Sequence, residues 1–479
     1  LRQILPRARF TSIPLETIRQ DNILQVTTMR RSLTNFTAAL RKLRETGHMD
    51  EFWYDVYNYL LKQKNIPLHA AVSGIFAHAP QEVLPPALAA RLYTKHKTLK
   101  GSVTRFEQFF NCPFKHFAHY ALNLQERQEF RFASPDLGIL LHAVMHQFGN
   151  ILAEQNRSWQ SVSPHECEQI CDKIISTIAP KLQNEILLST SRYKHLLERI
   201  RELSVLSLTR LIEFAKHSQF KPRALEQSFG LGSSMPPLIF SDDDGHRIEI
   251  TGQIDRIDTA DNYYLVIDYK SGNAFINLLQ VYYGLRLQLL TYLLVAKNTA
   301  AALLNENDAV PAGILYCFLK TPLITSKTKL SGEQLRTEID KKLKMPGWVL
   351  ADPEIIKKID DSLNFIKVRL NKNQDDISAL SRSYVKTQEE FDLLLHHIEA
   401  TLKDAGKRIL QGEMAIFPYK TKTETACTYC PYISICRFDR TIAGYAYNEL
   451  TNTDEEQIMQ KLRQKEGISC LGPNSKNEP

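Results

Sequence analysis

The chain lacks several features that define common protein classes. No apolar run in its 479 residues approaches the roughly 18 residues of a membrane-spanning helix, and the richest run, residues 287–296, is interrupted by Gln288 and Thr291. We therefore expect no membrane partner. No G-x-x-x-x-G-K-[ST] loop is present to cradle ATP phosphates, so an ATP-driven motor would have to come from a partner.

A secretory segment is also missing. A large chain without one is a poor candidate for a disulfide framework, so its eight cysteines need another explanation, and a cytoplasmic location is expected. The apolar fraction of 43% and the charged fraction of 24% are ordinary for a globular protein. The net charge of +7 suits a polyanionic partner, although a mildly basic solvated surface is at least as common.

The length allows two or three domains with sizeable cores. Because the chain begins with Leu1 and not Met, we expect it to be the C-terminal part of a longer polypeptide. Residues 1–100 are helical in pattern, and Pro80, Pro85 and Pro86 mark the connection to a second domain, predicted over residues 101–440. A tail over residues 441–479 follows, and its end, GPNSKNEP, is expected to be disordered.

Helical and strand patterns alternate within residues 101–440, which predicts an α/β fold with a mixed sheet flanked by helices. The expected elements are a helix-rich part (102–216), a β-hairpin (248–269), a helix (283–296), a strand (312–319), a polar and partly helical insertion (320–385) and an amphipathic helix (389–412).

The hairpin carries the most informative residues. It joins the strings GQIDRID (252–258) and LVIDYKSG (265–272) through residues 259–262, which have a turn composition. If Asp261 and Asn262 are the central turn residues, paired positions sum to 523 and Asp255 lies opposite Asp268. Lys270 shares a strand face with Asp268, because residues i and i+2 point the same way.

Two opposed carboxylates are destabilising unless a positive charge neutralises them. A hard divalent cation with oxygen ligands would do so, and a neighbouring lysine could orient a water or stabilise charge on a phosphate. The pattern therefore predicts a nuclease-type site. The competing interpretation is that Asp-x-Lys at a strand end is common on solvated sheet edges.

Three cysteines, Cys427, Cys430 and Cys436, form a C-x2-C-x5-C string. A Cys-x2-Cys pair lets two thiolates bind one metal centre, and a fourth thiolate would complete an iron–sulfur cluster or a zinc site. The remaining thiols, Cys167, Cys171, Cys317 and Cys470, are expected to be plain buried or surface groups.

The hairpin resembles the core of the PD-(D/E)XK nucleases, and two further strings resemble motifs of their RecB-like branch. Residues 138–142, with Gly138 and His142, resemble a G-x-x-x-H helix, and residues 288–292 resemble a Q-x-x-x-Y helix. Alone, the histidine would more often be a packed core residue, and His146 one turn later is an alternative. The second string would alone suggest an amphipathic helix with a half-buried tyrosine.

The resemblance implies roles for individual residues. Asp255, Asp268, the carbonyl of Tyr269 and His142 are expected to hold Mg²⁺ or Mn²⁺, and Lys270 is expected to act in catalysis with the two aspartates. Three further residues are expected to contact DNA or support the site, namely Gln288, Tyr292 and Glu226, which lies where the family often has a glutamate before the sheet.

Residues 102–440 also resemble the nuclease region of AddB-type subunits of bacterial helicase–nucleases. The matching strings include SVTRFEQFFNCPFKHFAHYALNLQERQEF, ASPDLGILLH, YYGLRLQLLTYL and FPYK followed by the cysteine triad. In that family one cysteine before the nuclease core pairs with three after it. The resemblance implies a [4Fe–4S] cluster held by Cys112, Cys427, Cys430 and Cys436, an iron–sulfur staple, with zinc as the alternative.

The implied function is that of a metal-dependent DNA exonuclease, 5′-to-3′ on single strands, which processes double-strand breaks for recombinational repair. The implied partners are DNA and an AddA-type helicase–nuclease subunit in a heterodimer, with residues 1–100 as the tail of a helicase-like domain. Two alternatives stay open: a stand-alone iron–sulfur exonuclease of the Cas4 kind, and a non-catalytic DNA-binding scaffold subunit.

Overall fold

The computed structural model describes residues 26–63, 66–75, 83–127, 132, 134–181, 186–230, 232–233, 235–242, 245–304, 309–326, 328–440, 442–451 and 453–466. Its contacts divide the chain into two compact units. The first comprises Leu1–Gln81 and Arg437–Ala446, and the second comprises Glu82–Cys436 and Tyr447–Pro479. This boundary precedes the one expected near residue 100. The terminal segment GPNSKNEP lies outside the described residues.

Three helices form the described core of the first unit, in agreement with the apolar spacing: α1 (Met29–Thr46), α2 (Phe52–Leu61) and α3 (Leu68–Ile75). The side chain of Thr28 caps α1 by accepting a hydrogen bond from the Arg31 N–H. The buried face of the bundle includes Phe36, Trp53 and Leu60.

The second unit contains the remaining elements. Its strands are β1 (Thr94–Lys95), β2 (Thr98–Ser102), β3 (Lys221–Phe229), β4 (Leu238–Ser241), β5 (Arg247–Ala260), β6 (Tyr263–Lys270), β7 (Val310–Phe318), β8 (Gly347–Leu350), β9 (Val385–Lys386), β10 (Tyr419–Lys420) and β11 (Asn448–Glu449).

Its α-helices are α4 (Pro86–Tyr93), α5 (Val103–Asn111), α6 (Pro113–Tyr120), α7 (Ser134–Glu154), α8 (Pro164–Ile178), α9 (Ser191–Lys216), α10 (Leu278–Tyr282), α11 (Gln288–Leu304), α12 (Gly332–Lys342), α13 (Pro353–Ile359), α14 (Gln388–Leu410), α15 (Ile433–Cys436) and α16 (Glu455–Glu466). None of these described helices, nor any in the first unit, is long and apolar enough to cross a membrane.

A mixed sheet is the centre of the second unit. Its strand order is β1-β2-β5-β6-β7-β8-β9, and both β3 and β4 pair with the long strand β5. Strand β6 is antiparallel to β5 and parallel to β7. The helix α11 packs against β6 and β7, and α14 packs against α11, α4 and α5. The predicted mixed sheet with flanking helices is confirmed.

The hairpin has the predicted register. Strands β5 and β6 pair Arg256 with Ile267 and Ala260 with Tyr263, and Asp261 and Asn262 form the turn. Every pair in the ladder sums to 523, so the register follows from the turn residues.

Two predicted elements differ from the structure. The helix expected over residues 283–296 begins at Gln288, because Gly284 adopts a left-handed φ of 76° and separates α10 from α11. Residues 320–385 are not only a polar insertion, since they supply β8 and β9 to the main sheet and β8 is buried throughout. Four buried residues are too few for a recognisable strand pattern.

The helix α16 falls in a part of the chain without motifs, and it packs on α10 and α14. At this junction the ring of His397 stacks on Tyr282 with centroids 5.5 Å apart, and its Nε2 lies 3.2 Å from the Tyr282 carbonyl oxygen. Burial, and secondly the nearby charge of Lys465, lower the pKa of His397 from 6.5 to about 4.

This histidine predicts a pH-dependent loss of stability. Between pH 6.5 and about 4 the unfolded chain binds a proton that folded His397 does not, so the free energy of unfolding falls by up to about 3 kcal/mol as the pH drops through this window. Above pH 6.5 this loss is absent and the full free energy of unfolding is retained. Urea unfolding of the wild type and of His397→Gln at pH 4 to 7.5 measures it. Identical pH dependence in the two proteins would contradict the prediction.

Candidate active site

Helix α7 carries the first site residue, His142. Its Nδ1 lies 3.3 Å from Glu226 Oε1 and 3.4 Å from Asp255 Oδ1, and its Nε2 lies 3.0 Å from the Tyr269 carbonyl oxygen. The alternative His146 accepts a hydrogen bond from Asn150 instead. The structure therefore places His142, and not His146, among the carboxylates.

The carboxylates around His142 favour a positive charge at this position. Burial alone would lower the pKa of His142, but the carboxylates of Asp255 and Glu226 raise it to about 10. The side-chain ligand atoms of these three residues all lie within 4.8 Å of one another. A proton on the imidazole and a divalent cation would therefore compete for the same carboxylates.

The hairpin supplies both aspartates and the lysine. Asp255, on β5, accepts a hydrogen bond from the Tyr269 N–H at 2.7 Å, which ties it to β6 beside Asp268. On β6, Lys270 Nζ lies 2.7 Å from Asp268 Oδ2 and donates to Gln288 Oε1 at 3.1 Å. The aspartates, the lysine and the histidine thus converge at one end of the hairpin.

The carboxylate of Asp268 is the least satisfied polar group of the site. It is fully buried, and its Oδ1 has no hydrogen-bond partner among the described residues. Burial, followed by the charge of Asp255, raises its pKa to about 7, against the opposing effect of Lys270. An orphaned buried carboxylate oxygen beside a second carboxylate is the donor set that a hard divalent cation fits.

The second aspartate of the GQIDRID string has a different role. Asp258 and Arg256 point away from the site face and form a bidentate ion pair with two 2.7 Å hydrogen bonds, both side chains being fully buried. The guanidinium also lies over the ring of Trp159. Because Arg256 already neutralises Asp258, Asp255 and not Asp258 is the aspartate of this string that is available to a metal.

Glu226 lies on β3 with an unusual backbone conformation. Its φ of 48° is left-handed, although the register of β3 with β5 is the same on both sides of it, from Leu225 opposite Arg256 to Gln227 opposite Ile254. Such strained residues are frequent at functional sites. The family resemblance suggested a position before the sheet, but Glu226 lies within the sheet, on β3.

The Q-x-x-x-Y string lies on the first turn of α11. Gln288 accepts from Lys270 and donates through Nε2 to the Tyr292 hydroxyl at 3.0 Å. Residues i and i+4 share a helix face, so both polar groups face the lysine side of the site. Burial raises the pKa of Tyr292, so its hydroxyl stays protonated.

One further residue near the site has no signal in the sequence. Glu107, on α5, accepts hydrogen bonds from the backbone N–H groups of Leu287 and Gln288 at 2.7 and 3.1 Å. It lies 180 residues before Leu287, and no spacing within a motif connects the two segments.

The four cysteines predicted to hold a metal centre lie in the same unit. Cys112 lies at the junction of α5 and α6 and is buried, whereas Cys427, Cys430 and Cys436 are partly exposed. The segment before β10 meets α6 through a hydrogen bond from the Phe114 N–H to the Ala415 carbonyl.

Tyr432, between the second and third cysteines of the triad, fixes the triad against the segment after Cys112. Its hydroxyl donates to the Leu124 carbonyl at 3.0 Å and lies 2.9 Å from His119 Nδ1 on α6.

Burial has the largest effect on the pKa of two of the thiols. The pKa of Cys112 is raised to about 11, chiefly by burial, with backbone N–H groups opposing the rise and the charge of Cys427 adding to it. The pKa of Cys427 is raised by burial and then by Cys430 and Cys436. Backbone N–H groups therefore already point at the Cys112 sulfur.

The other described thiols are inert. Cys167, Cys171 and Cys317 are buried, none of the described cysteines forms a disulfide, and burial raises the pKa of each of these three. Cys470 lies outside the described residues.

Comparison with known proteins agrees with this geometry. Residues 100–437 match the model of the PD-(D/E)XK nuclease superfamily. Residues 19–73 match the model described as the fifth domain of the ATP-dependent helicase/deoxyribonuclease AddB.

Individual relatives cover nearly all of the chain. A protein of Desulforamulus reducens is 34% identical over 98% of this chain and 41% of its own length. One from Bacillus thuringiensis (strain Al Hakam) is 36% identical over 88% of this chain and 37% of its own length. Both are named as subunits of an ATP-dependent helicase/deoxyribonuclease. The chain spans about two fifths of the length of these relatives. Because the superfamily model matches most of the chain, the chain belongs to the PD-(D/E)XK nuclease superfamily.

Proposed function

We propose that the chain carries the metal-dependent deoxyribonuclease activity of a helicase–nuclease subunit and cleaves single strands in the 5′-to-3′ direction. The observation that carries the proposal is the convergence of His142, Asp255, Asp268 and Lys270 at one end of the hairpin. A scaffold that had lost catalysis would have no need for a buried carboxylate that pairs with a lysine through one oxygen and has no hydrogen-bond partner at the other among the described residues.

The donor set suits Mg²⁺ or Mn²⁺. His142, Asp255, Asp268 and the Tyr269 carbonyl would hold the ion, and Glu226 would either join them or orient His142 through its Nδ1. When bound, the ion polarises the phosphate and lowers the pKa of a coordinated water.

Lys270 supplies the remaining positive charge. Its ammonium is held between Asp268 and Gln288 and is partly exposed, so it can donate to the attacking water or to a phosphate oxygen. Hydrolysis then joins the water oxygen to phosphorus and breaks the bond from phosphorus to the sugar oxygen.

The four cysteines are proposed to hold a [4Fe–4S] cluster. The support is the C-x2-C-x5-C string together with Cys112, a set of four thiolates that suits a cluster, and the hydrogen bond from Tyr432 that joins the triad to the segment after Cys112. A single zinc ion is the alternative.

The relatives' names supply the wider context. They are subunits of an ATP-dependent enzyme, and we propose that this chain works with DNA and an AddA-type helicase–nuclease partner in the processing of double-strand breaks.

End-labelled DNA tests the proposal. Single strands should be cut in Mg²⁺ and left intact in EDTA, and linear duplex should be degraded only when the ATP-driven partner is added. Strands labelled at the 5′ or 3′ end report the polarity. Cleavage in EDTA, or none with metal, partner and ATP present, would refute the function.

His142 makes a separate prediction. In His142→Ala the Mg²⁺ concentration for half-maximal cleavage should rise about 10- to 100-fold, because one ligand is lost while both aspartates remain. The rate at saturating Mg²⁺ should stay near that of the wild type. His146→Ala is the matched control, since that histidine contacts Asn150 and not the carboxylates. An unchanged Mg²⁺ dependence in His142→Ala would remove the histidine from the site.

A further inference from the structure

Helix α11 starts without a capping side chain of its own. Leu287 is its N-cap residue, since the Leu287 carbonyl accepts the first helical hydrogen bond, from the Thr291 N–H. Leucine has no side-chain acceptor for the first N–H groups of the helix. The acceptor comes from another helix, because Glu107 Oε1 takes the N–H groups of both Leu287 and Gln288.

A packing contact also joins α5 to the turn before α11. Gly284, in the turn before α11, lies so close to Phe110 of α5 that an added Cβ would stand 2.4 Å from the phenylalanine ring. Phe110 follows Glu107 by one helical turn, so both project from the same side of α5. The start of α11 is therefore fixed against α5 by a packing contact and by hydrogen bonds.

Gln288 links this anchor to the lysine of the active site. Its backbone N–H is held by Glu107, and its side-chain oxygen accepts from Lys270. The negative charge of Glu107 also suits the positive end of the α11 dipole. Burial raises the pKa of Glu107, whereas the two N–H groups and then the charges of Arg286 and Lys270 lower it.

We propose that Glu107 is a positioning residue of the nuclease site, which fixes the first turn of α11 and, through Gln288, the place of the Lys270 ammonium. The inference rests on the proposed function, since Lys270 matters only if the site cleaves. Cys112 is the C-cap residue of α5, so the helix that carries Glu107 leads directly to the first of the proposed cluster ligands.

Steady-state cleavage of a single-stranded oligonucleotide at saturating Mg²⁺ tests the proposal. Glu107→Ala should lower kcat about 10- to 100-fold, because small misplacements of a catalytic group are costly, while KM stays within about twofold of the wild-type value. In Glu107→Gln the amide oxygen still accepts both N–H groups, so kcat should stay within about threefold. Thr104→Ala, at an exposed position on the same helix, is the matched control and should behave as the wild type.

A double-mutant cycle separates positioning from general destabilisation. If Glu107 acts through Gln288, then Glu107→Ala combined with Gln288→Ala should be no slower than Gln288→Ala alone. Multiplying effects in the double variant would overturn the proposal, as would a Glu107→Gln variant as slow as Glu107→Ala.

Amide hydrogen exchange gives a readout that does not depend on activity. Exchange in residues 285–292 should be faster in Glu107→Ala and unchanged in Glu107→Gln and Thr104→Ala. If the wild type proves inactive with every metal tested, the proposed function fails, and exchange still decides whether Glu107 holds the helix. Unchanged exchange in Glu107→Ala would overturn the inference by itself.

Discussion

Replacing Lys270 with alanine is expected to lower DNA cleavage by roughly 10³-fold or more while leaving binding of single-stranded DNA nearly intact. The ammonium is the one cation that hydrogen-bonds Gln288 and pairs with Asp268 in the described site. Its loss removes the donor for the attacking water or phosphate oxygen and leaves the carboxylates of Asp255 and Asp268 in place to bind metal. Cleavage rates and binding affinities of one labelled oligonucleotide measure both effects.

Two controls make this result specific. Lys403→Ala changes an exposed lysine on α14 and should cleave as the wild type does. The unfolding midpoint of Lys270→Ala should stay close to that of the wild type, because the lysine is partly exposed. A Lys270→Ala variant that still cleaves at the wild-type rate would show that the lysine is not catalytic.

Loss of the cysteine site is the second large effect expected. Cys112→Ser should remove the metal centre and destabilise the domain by about 4 kcal/mol, as expected for the loss of a cross-link that closes a very long loop. Cys112 precedes Cys427 by 315 residues, so a shared metal centre would close a loop of that length. DNA binding should weaken in parallel.

Iron content and colour measure this effect. Anaerobically purified wild type should be brown, with broad absorbance near about 400 nm, and Cys112→Ser, Cys427→Ser, Cys430→Ser and Cys436→Ser should each lose iron. Cys317→Ala is the control, because that thiol is buried on β7 and is not one of the four proposed ligands, so its loss should leave the iron content unchanged. A colourless wild type with one zinc per chain would overturn the iron assignment and keep the four-thiol geometry.

Strand register and helix spacing are enough to predict the central residues of the candidate site. The turn at Asp261 and Asn262 sets the register of β5 and β6, and this register by itself predicts that Asp255 lies beside Asp268. Likewise the i, i+4 spacing of Gln288 and Tyr292 puts both side chains on one helix face, where they hydrogen-bond each other. Both predictions depend only on residues near one another in the sequence.

Features that depend on contacts between distant parts of the sequence are harder to predict from local pattern. The left-handed backbone at Glu226, whose carboxylate lies beside His142, has no sequence signature, because the residue is not a glycine. Glu107 caps a helix 180 residues away, and nothing in its neighbourhood indicates the partner. The convergence of Cys112 with the triad stays a prediction that rests on the family resemblance, since spacing alone does not predict that distant thiols come together.

The strands β8 and β9 escape prediction from the sequence for a different reason. Residues 320–385 are polar on average, so the four buried residues of β8 are hidden among loops and charged helices. Their place in the sheet is fixed by strand pairing, since β8 pairs with β7 on one side and with β9 on the other. Tertiary pairing and not local pattern determines such short strands.

Binding of Mn²⁺, followed by electron paramagnetic resonance, tests the metal site most directly. The wild type and Lys270→Ala should take up Mn²⁺ with the same affinity, because the lysine is not a ligand. Asp255→Ala and Asp268→Ala should each lose the ion that the wild type binds, and cleavage should be lost with it. Unaltered Mn²⁺ binding in both aspartate variants would contradict the account.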